Sequence, residues 1–166
     1  HDPESIAQAD MIILPGSKNT IQDLLFLREK GIAQVILRAH EDEKMIIGIC
    51  GGYQMLGNQI EDPLGVESEI KSIPGLGILP IHTQLTAEKT TTQCSFKFKA
   101  YAETCSGYEI HMGVTTATDT SPLNTIATQA EGYLQKNCWG TYIHGILDNT
   151  VVIEDILQHF ASAKTR

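Results

Sequence analysis

The sequence has no run of apolar residues approaching the roughly 20 needed to cross a bilayer as a helix, and its opening stretch, HDPESIAQAD, holds no apolar core of a signal peptide. These absences predict a cytoplasmic protein with no membrane partner. Cysteine is scarce and scattered. Cys50, Cys94, Cys105 and Cys138 form no CxxC pair and no dense pattern, which argues against a zinc or other metal site and against a secreted disulfide framework. Reduced thiols are the simplest state. Basic residues are also few, 12 Lys+Arg against 20 Asp+Glu, for a formal charge of -8. Such a surface repels phosphate backbones and anionic head groups, so nucleic acid is not an expected partner. There is no internal repeat and no low-complexity tract. The chain does not begin with Met and opens close to a strand, from which a piece of a longer protein is expected.

What is present fits one globular domain over residues 1–166, 42% apolar and 19% charged. Met11 to Leu14 is a short apolar run ended by Pro15 and Gly16, the pattern of a buried parallel strand entering a turn. After the loop PGSKNT, the spacing of Ile21, Leu24, Leu25 and Leu27 predicts a helix with Asn19 or Thr20 as N-cap and Gly31 as its stop. Ile32 to about Asp42 predicts a second helix. Met45 to Ile49 is another buried strand, broken at Cys50-Gly51-Gly52 and followed by a helix through Tyr53, Met55 and Leu56. From Gly57 to Leu76 a loop rich in Asp, Glu, Pro and Gly predicts a flap. Between Gly77 and Glu103 polar and apolar residues alternate, as in antiparallel strands with one face in water. GYEIHMG, AEGYLQKN and CWGTYIHG add short strand candidates, and Val151 to Ala161 predicts an amphipathic helix starting near Asn149 or Thr150.

A cysteine between a strand and a helix, flanked by Gly48, Gly51 and Gly52, has the chemistry of a nucleophile. Glycine permits a strained turn and leaves room for substrate, and a helix N-terminus is expected to lower the thiol pKa. The alternative is a core cysteine in a Gly-rich turn. A nucleophilic cysteine needs a base. His144 is the candidate, because a short apolar strand, Thr141 to Ile143, delivers it to a Gly turn at a sheet end; a hydrogen-bonded surface histidine is the other reading. His1, His40 and His159 read as solvated, and His82 as structural. Acyl transfer also requires an oxyanion hole. Gly51 supplies one N–H, and the PGSK loop, through Gly16 or Ser17, supplies the second unless it is an ordinary β-to-α turn. The GSK tripeptide lacks the spacing of a phosphate-binding GxxxxGK[ST] loop.

Together LPGSKNTIQDL, GICGGYQMLG, PGLGILP, GYEIHMG and WGTYIHGILDN resemble, in order and over almost the whole chain, the C-terminal class I (triad-type) glutamine amidotransferase domain of cobyric acid synthases. The resemblance implies a flavodoxin-like α/β fold, a mostly parallel sheet flanked by helices with an added antiparallel section. It implies hydrolysis of L-glutamine to glutamate and ammonia, and passage of the ammonia to an N-terminal synthetase domain. That domain, not this chain, would use ATP and magnesium to amidate adenosylcobyrinic acid a,c-diamide to adenosylcobyric acid in cobalamin biosynthesis. Carried over by position, Cys50 is the nucleophile, His144 the general base, and Gly51 and Gly16 the oxyanion-hole residues. Gln54, unless a helix-surface glutamine, contacts substrate, with Ser17 beside it. Tyr108, Glu109 and His111 line the glutamine pocket, or else Glu109 and His111 face partner and solvent.

Two departures stand out. Most triad amidotransferases place a glutamate two residues after the histidine, where this chain has Ile146. Cobyric acid synthases share that departure, so a Cys–His dyad is implied, with Asp148 or Glu109 as candidate third members; a capping role in LDNT is the other reading of Asp148. The family domain also begins with a further strand and helix before the position of His1. The rival readings are an amidotransferase serving another acceptor, such as a peptidoglycan precursor, and a non-catalytic binding module on the same fold.

Overall fold

The computed structural model describes residues 2–163. Its helices are α1 (Pro3–Ala7), α2 (Thr20–Glu29), α3 (Ile32–Glu41), α4 (Gly51–Met55) and α5 (Thr150–Ala163). The strands are β1 (Met11–Leu14), β2 (Met45–Ile49), β3 (Gln59–Glu61), β4 (Ser72–Pro74), β5 (Ile81–Phe98) and β6 (Cys105–Ala117). They continue as β7 (Asn124–Ile126), β8 (Gln129–Glu131), β9 (Tyr133–Gln135), β10 (Cys138–Thr141) and β11 (Ile143–His144), with one 3-10 turn at Ile146–Asp148.

One sheet has the order β1-β2-β10-β9, with β1, β2 and β10 parallel and β9 antiparallel. Its parallel strands read as apolar runs because both faces of β2 and β10 are covered, while Ile13 on the outer face of β1 stays 38% exposed. Ile12, Leu14, Ile46 and Cys138 pack with Ile21, Leu24, Ile32 and Ile36 of α2 and α3. Met45, Ile47 and Trp139 pack on the other side with Phe96, Phe98, Val152 and Ile156. The second sheet runs β11-β6-β5-β3-β4 and is dominated by the antiparallel β5–β6 pair. The antiparallel section is therefore the larger one. The α/β class follows the expected pattern, and Asn19 caps α2 by accepting from Gln22 N–H at 3.1 Å.

Three expectations need correction. The stretch Thr141 to His144 is not one strand: Thr141 ends β10 in the parallel sheet and His144 lies on β11 in the other, with Tyr142 as the crossing residue. Residues 57–76 do not form a loose flap. Asp62, fully buried, accepts from the N–H groups of Val66, Glu67 and Ser68 at 2.6, 2.9 and 2.9 Å, and β3 pairs with β4 across the loop. Burial pushes the Asp62 carboxyl up, but these backbone bonds outweigh it and hold it below its usual value. His40 is half-buried rather than solvated, its Nδ1 3.4 Å from the Cys138 sulfur. His159 is likewise half-buried, edge-on to Phe160, and His1 lies outside the described residues. All four cysteines are free and buried.

Candidate active site

Cys50 sits between β2 and α4 with φ 54 and ψ -111, a left-handed region that a residue with a Cβ adopts only at a cost of about 1–3 kcal/mol. Backbone bonds hold it there. Cys50 N–H donates to Thr141 O at 2.8 Å, Gln54 N–H to Cys50 O at 3.1 Å, and Gly52 N–H to Pro15 O at 3.1 Å. A Cβ on Gly52 would lie 2.0 Å from the Leu14 carbonyl oxygen, so only glycine lets α4 press onto the end of β1. The turn is thus assembled from three parallel strands at their carboxyl ends, where α/β proteins place their sites.

The loop after β1 closes over the same point. A Cβ on Gly16 would stand 3.7 Å from Cys50 Cβ and 3.2 Å from His144 Cε1, and one on Gly51 would meet Ser17 N at 3.0 Å. Gly16, Gly51, Cys50 and His144 therefore converge. The Ser17 hydroxyl donates to Asp23 and accepts from Asn19 N–H at 3.0 Å, so it is engaged between its own loop and the first turn of α2. His144 stacks on Tyr108, ring centroids 5.3 Å apart and 11° from parallel. Its Nε2 is sealed from solvent and has no hydrogen-bond partner among the described residues. Neither Asp148 nor Glu109 reaches the imidazole: Asp148 belongs to the 3-10 turn, its N–H donating to Gly145 O, and Glu109 faces His111 Nε2 at 3.7 Å.

Gln54 is neither on a helix surface nor free. Its carboxamide oxygen accepts from the Thr20 hydroxyl at 3.0 Å, and its nitrogen donates to Tyr142 Oη at 3.1 Å and to Met112 O at 3.4 Å. It forms the buried floor that joins α4 to β6 and the crossing at Tyr142. His111 stacks on Tyr142 at 3.8 Å between centroids, with Nδ1 3.1 Å from Gly113 O. Burial holds His111 below the usual imidazole range, and His144 adds a smaller push the same way. Tyr108 is 47% exposed on the outer side of His144.

The thiol does not behave as the helix terminus led one to expect. Burial pushes the Cys50 thiol above its ordinary value, and the Glu67 carboxylate adds to this; the Gly51 N–H, directed at the sulfur, pulls the other way without winning. Helix α4 is only five residues long, and a thiol buried to 8% exposure loses more from desolvation than so short a helix restores. The Cys50 S–H donates to Ile110 O at 3.3 Å. At rest Cys50 is thus a thiol. Alkylation of Cys50 by iodoacetamide, followed on its own peptide by mass spectrometry, is expected to accelerate about tenfold per pH unit up to and beyond about pH 9. A rate that levels off near neutral pH would mean a preformed thiolate.

Sequence reasoning missed Glu67, Tyr142 and Glu131. Glu67 Oε2 accepts from Thr20 N–H at 2.7 Å, 47 residues away in the chain, and so caps α2 beside the turn. Glu131 lies in a segment whose spacing signals only a strand. No local pattern marks either carboxylate, because each acts on backbone supplied by a distant element. Among the described residues no cluster of His, Cys, Asp and Glu has the geometry to hold a metal ion, and no helix is long and apolar enough to cross a membrane.

Residues 1–152 match the family of CobB/CobQ-like glutamine amidotransferase domains. Cobyric acid synthase of Phocaeicola vulgatus is 48% identical over 166 residues, covering 97% of this chain and 34% of that protein. Cobyric acid synthase of Limosilactobacillus reuteri is 44% identical over 171 residues, with the same coverage of 97% and 34%. The chain thus spans about a third of the length of these curated relatives. A crystal structure of a glutamine amidotransferase superposes with a TM-score of 0.65 at 17% identity, over 88% of this chain and 76% of that one. A chain of PurLQS from Thermotoga maritima superposes with a TM-score of 0.59 at 20% identity, over 81% and 68%. At these identities the superpositions speak for the fold alone.

Proposed function

The chain belongs to the family of CobB/CobQ-like glutamine amidotransferase domains, and from that premise we propose that it hydrolyses L-glutamine at Cys50. The observation that carries this reading is the convergence of Gly16, Cys50 and His144, whose Nε2 is sealed from solvent and has no hydrogen-bond partner among the described residues. The Cys50 sulfur, giving its proton to His144, adds to the carboxamide carbon, and the carbonyl electron pair moves onto oxygen. The N–H groups of Gly51 and Gly16 receive the oxyanion. As the C–N bond breaks, His144 returns the proton to the departing nitrogen and ammonia leaves. His144 then takes a proton from water as its oxygen adds to the γ-glutamyl thioester. The C–S bond breaks, the sulfur recovers the proton and glutamate is released. A thiol that is protonated at rest suits this sequence, since His144 activates it only when substrate is in place.

The ammonia serves an ATP-dependent synthetase that amidates adenosylcobyrinic acid a,c-diamide to adenosylcobyric acid, with ATP and magnesium held by that synthetase. Support comes from the cobyric acid synthases the chain matches over nearly all of its length. A cytoplasmic location goes with this role and with four free thiols. The test is direct. Incubated with L-glutamine, the protein should release glutamate and ammonia in equal amounts, and a chloroketone analogue of glutamine should label Cys50 at one equivalent per chain. No release together with an unlabelled Cys50 would sink the proposal.

A further inference from the structure

No carboxylate among the described residues reaches the His144 ring, and yet the ring is stacked on Tyr108, with Cε1 3.2 Å from where a Cβ on Gly16 would stand. The segment that carries it is tied to Glu131. Glu131 Oε1 accepts from Tyr142 N–H at 2.7 Å, and Oε2 accepts from the Thr141 hydroxyl at 2.7 Å and from Asn124 Nδ2 at 2.8 Å. The Thr141 hydroxyl in turn accepts from Ile143 N–H at 3.0 Å and from Asn124 Nδ2 at 3.3 Å. On the other side of the same residue, Thr141 O accepts from the N–H of Cys50. One half-buried carboxylate therefore fixes residues 141–143, which touch the nucleophile through Thr141 and present the histidine one residue later.

We propose that Glu131 is a positioning residue for glutamine hydrolysis, holding Cys50 and His144 in mutual register through the backbone of Thr141 to Ile143 rather than through the imidazole. The inference rests on the glutaminase reading above and deepens it. Every group hydrogen-bonded to Glu131 is a donor, so the carboxylate satisfies them as an acceptor alone. Burial raises its pKa and works against the charge, and the hydrogen bonds accepted from Asn124, Tyr142 and Thr141 offset part of that cost. A glutamine at 131 keeps the volume but must turn its NH2 toward a donor at one end or the other, which loosens the segment. A displacement of about 1 Å at a reacting group is enough to cost on the order of 100-fold in rate.

The experiment compares Glu131→Gln with the wild-type protein in steady-state glutamine hydrolysis, each rate divided by the folded fraction measured by circular dichroism at the assay temperature. A positioning role lowers kcat about 100-fold with KM within about threefold of wild type. Ile156→Ala, which opens a cavity on the far face of the parallel sheet, serves as the destabilised control and should keep its kcat per folded molecule. A kcat for Glu131→Gln within about threefold of wild type, or an equal fall in both variants, overturns the proposal. If Glu131→Gln does not fold, Thr141→Val reads the same linkage. It removes the hydroxyl with little change of shape and should lower kcat about tenfold at unchanged KM, and an unchanged kcat overturns the proposal. A wild-type protein that releases no ammonia overturns the glutaminase reading and this inference with it. A turning-over wild type matched by Glu131→Gln overturns this inference alone.

Discussion

Replacing Cys50 by alanine or by glycine is expected to abolish glutamine hydrolysis, with a loss of about 10⁴-fold or more in kcat, while the glycine variant folds more stably than the alanine variant. The two substitutions remove the same sulfur, so the loss of its buried contacts cancels between them. They differ in what the backbone tolerates. At φ 54 and ψ -111 an alanine keeps the unfavourable contact of its Cβ with the backbone, and a glycine does not. In ordinary helix or strand positions alanine is the more stable residue by about 0.5–1 kcal/mol; here the order should reverse, with glycine ahead by about 1 kcal/mol in urea denaturation. Alanine at or above glycine would show that the turn is unstrained.

Gly52→Ala is expected to be the most damaging single change near the site, costing about 3–5 kcal/mol of stability. Its Cβ would lie 2.0 Å from the Leu14 carbonyl oxygen and 2.5 Å from its carbon. Both are backbone atoms of β1, hydrogen-bonded in register with β2, so no side-chain rotation can make room. Helix α4 would have to lift off the sheet, carrying Cys50 away from His144. Gly31→Ala provides the contrast. Gly31 also has a positive φ, 73°, but a Cβ there meets nothing within 4 Å, and its cost should be no more than the left-handed penalty of about 1–2 kcal/mol. Thermal unfolding of the two variants beside wild type separates steric overlap from backbone preference. A Gly52→Ala protein as stable as Gly31→Ala would mean that α4 does not press on β1 as described.

These two expectations rest on a turn that was visible in the residues themselves. An apolar run, a cysteine, two glycines and a further apolar periodicity specify strand, tight turn and helix through local preferences alone. The same holds for the helix capped by Asn19 and for the alternating strand around Phe96 and Phe98. Where the reading failed, the deciding interaction was distant. Residues 57–76 carry every mark of a mobile loop until the Asp62 carboxylate gathers three backbone N–H groups. The segment around His144 reads as one strand because the switch between sheets at Tyr142 is set by Glu131 and by β6, neither of which leaves a trace in the local spacing.

The sequence by itself determined the class of fold through the order of its motifs, and the tight turn at Cys50 with the glycines that make it possible, because that turn depends on backbone preferences and side-chain periodicity over a few residues. Only the tertiary structure decided the rest. It placed His144, 94 positions downstream, against Gly16 and Cys50; it set the thiol above its ordinary pKa; and it tied Glu131 to the Thr141 hydroxyl and the Tyr142 N–H. Each of these depends on burial and on hydrogen bonds between segments far apart in the chain, and those energies exist only once the two sheets have packed.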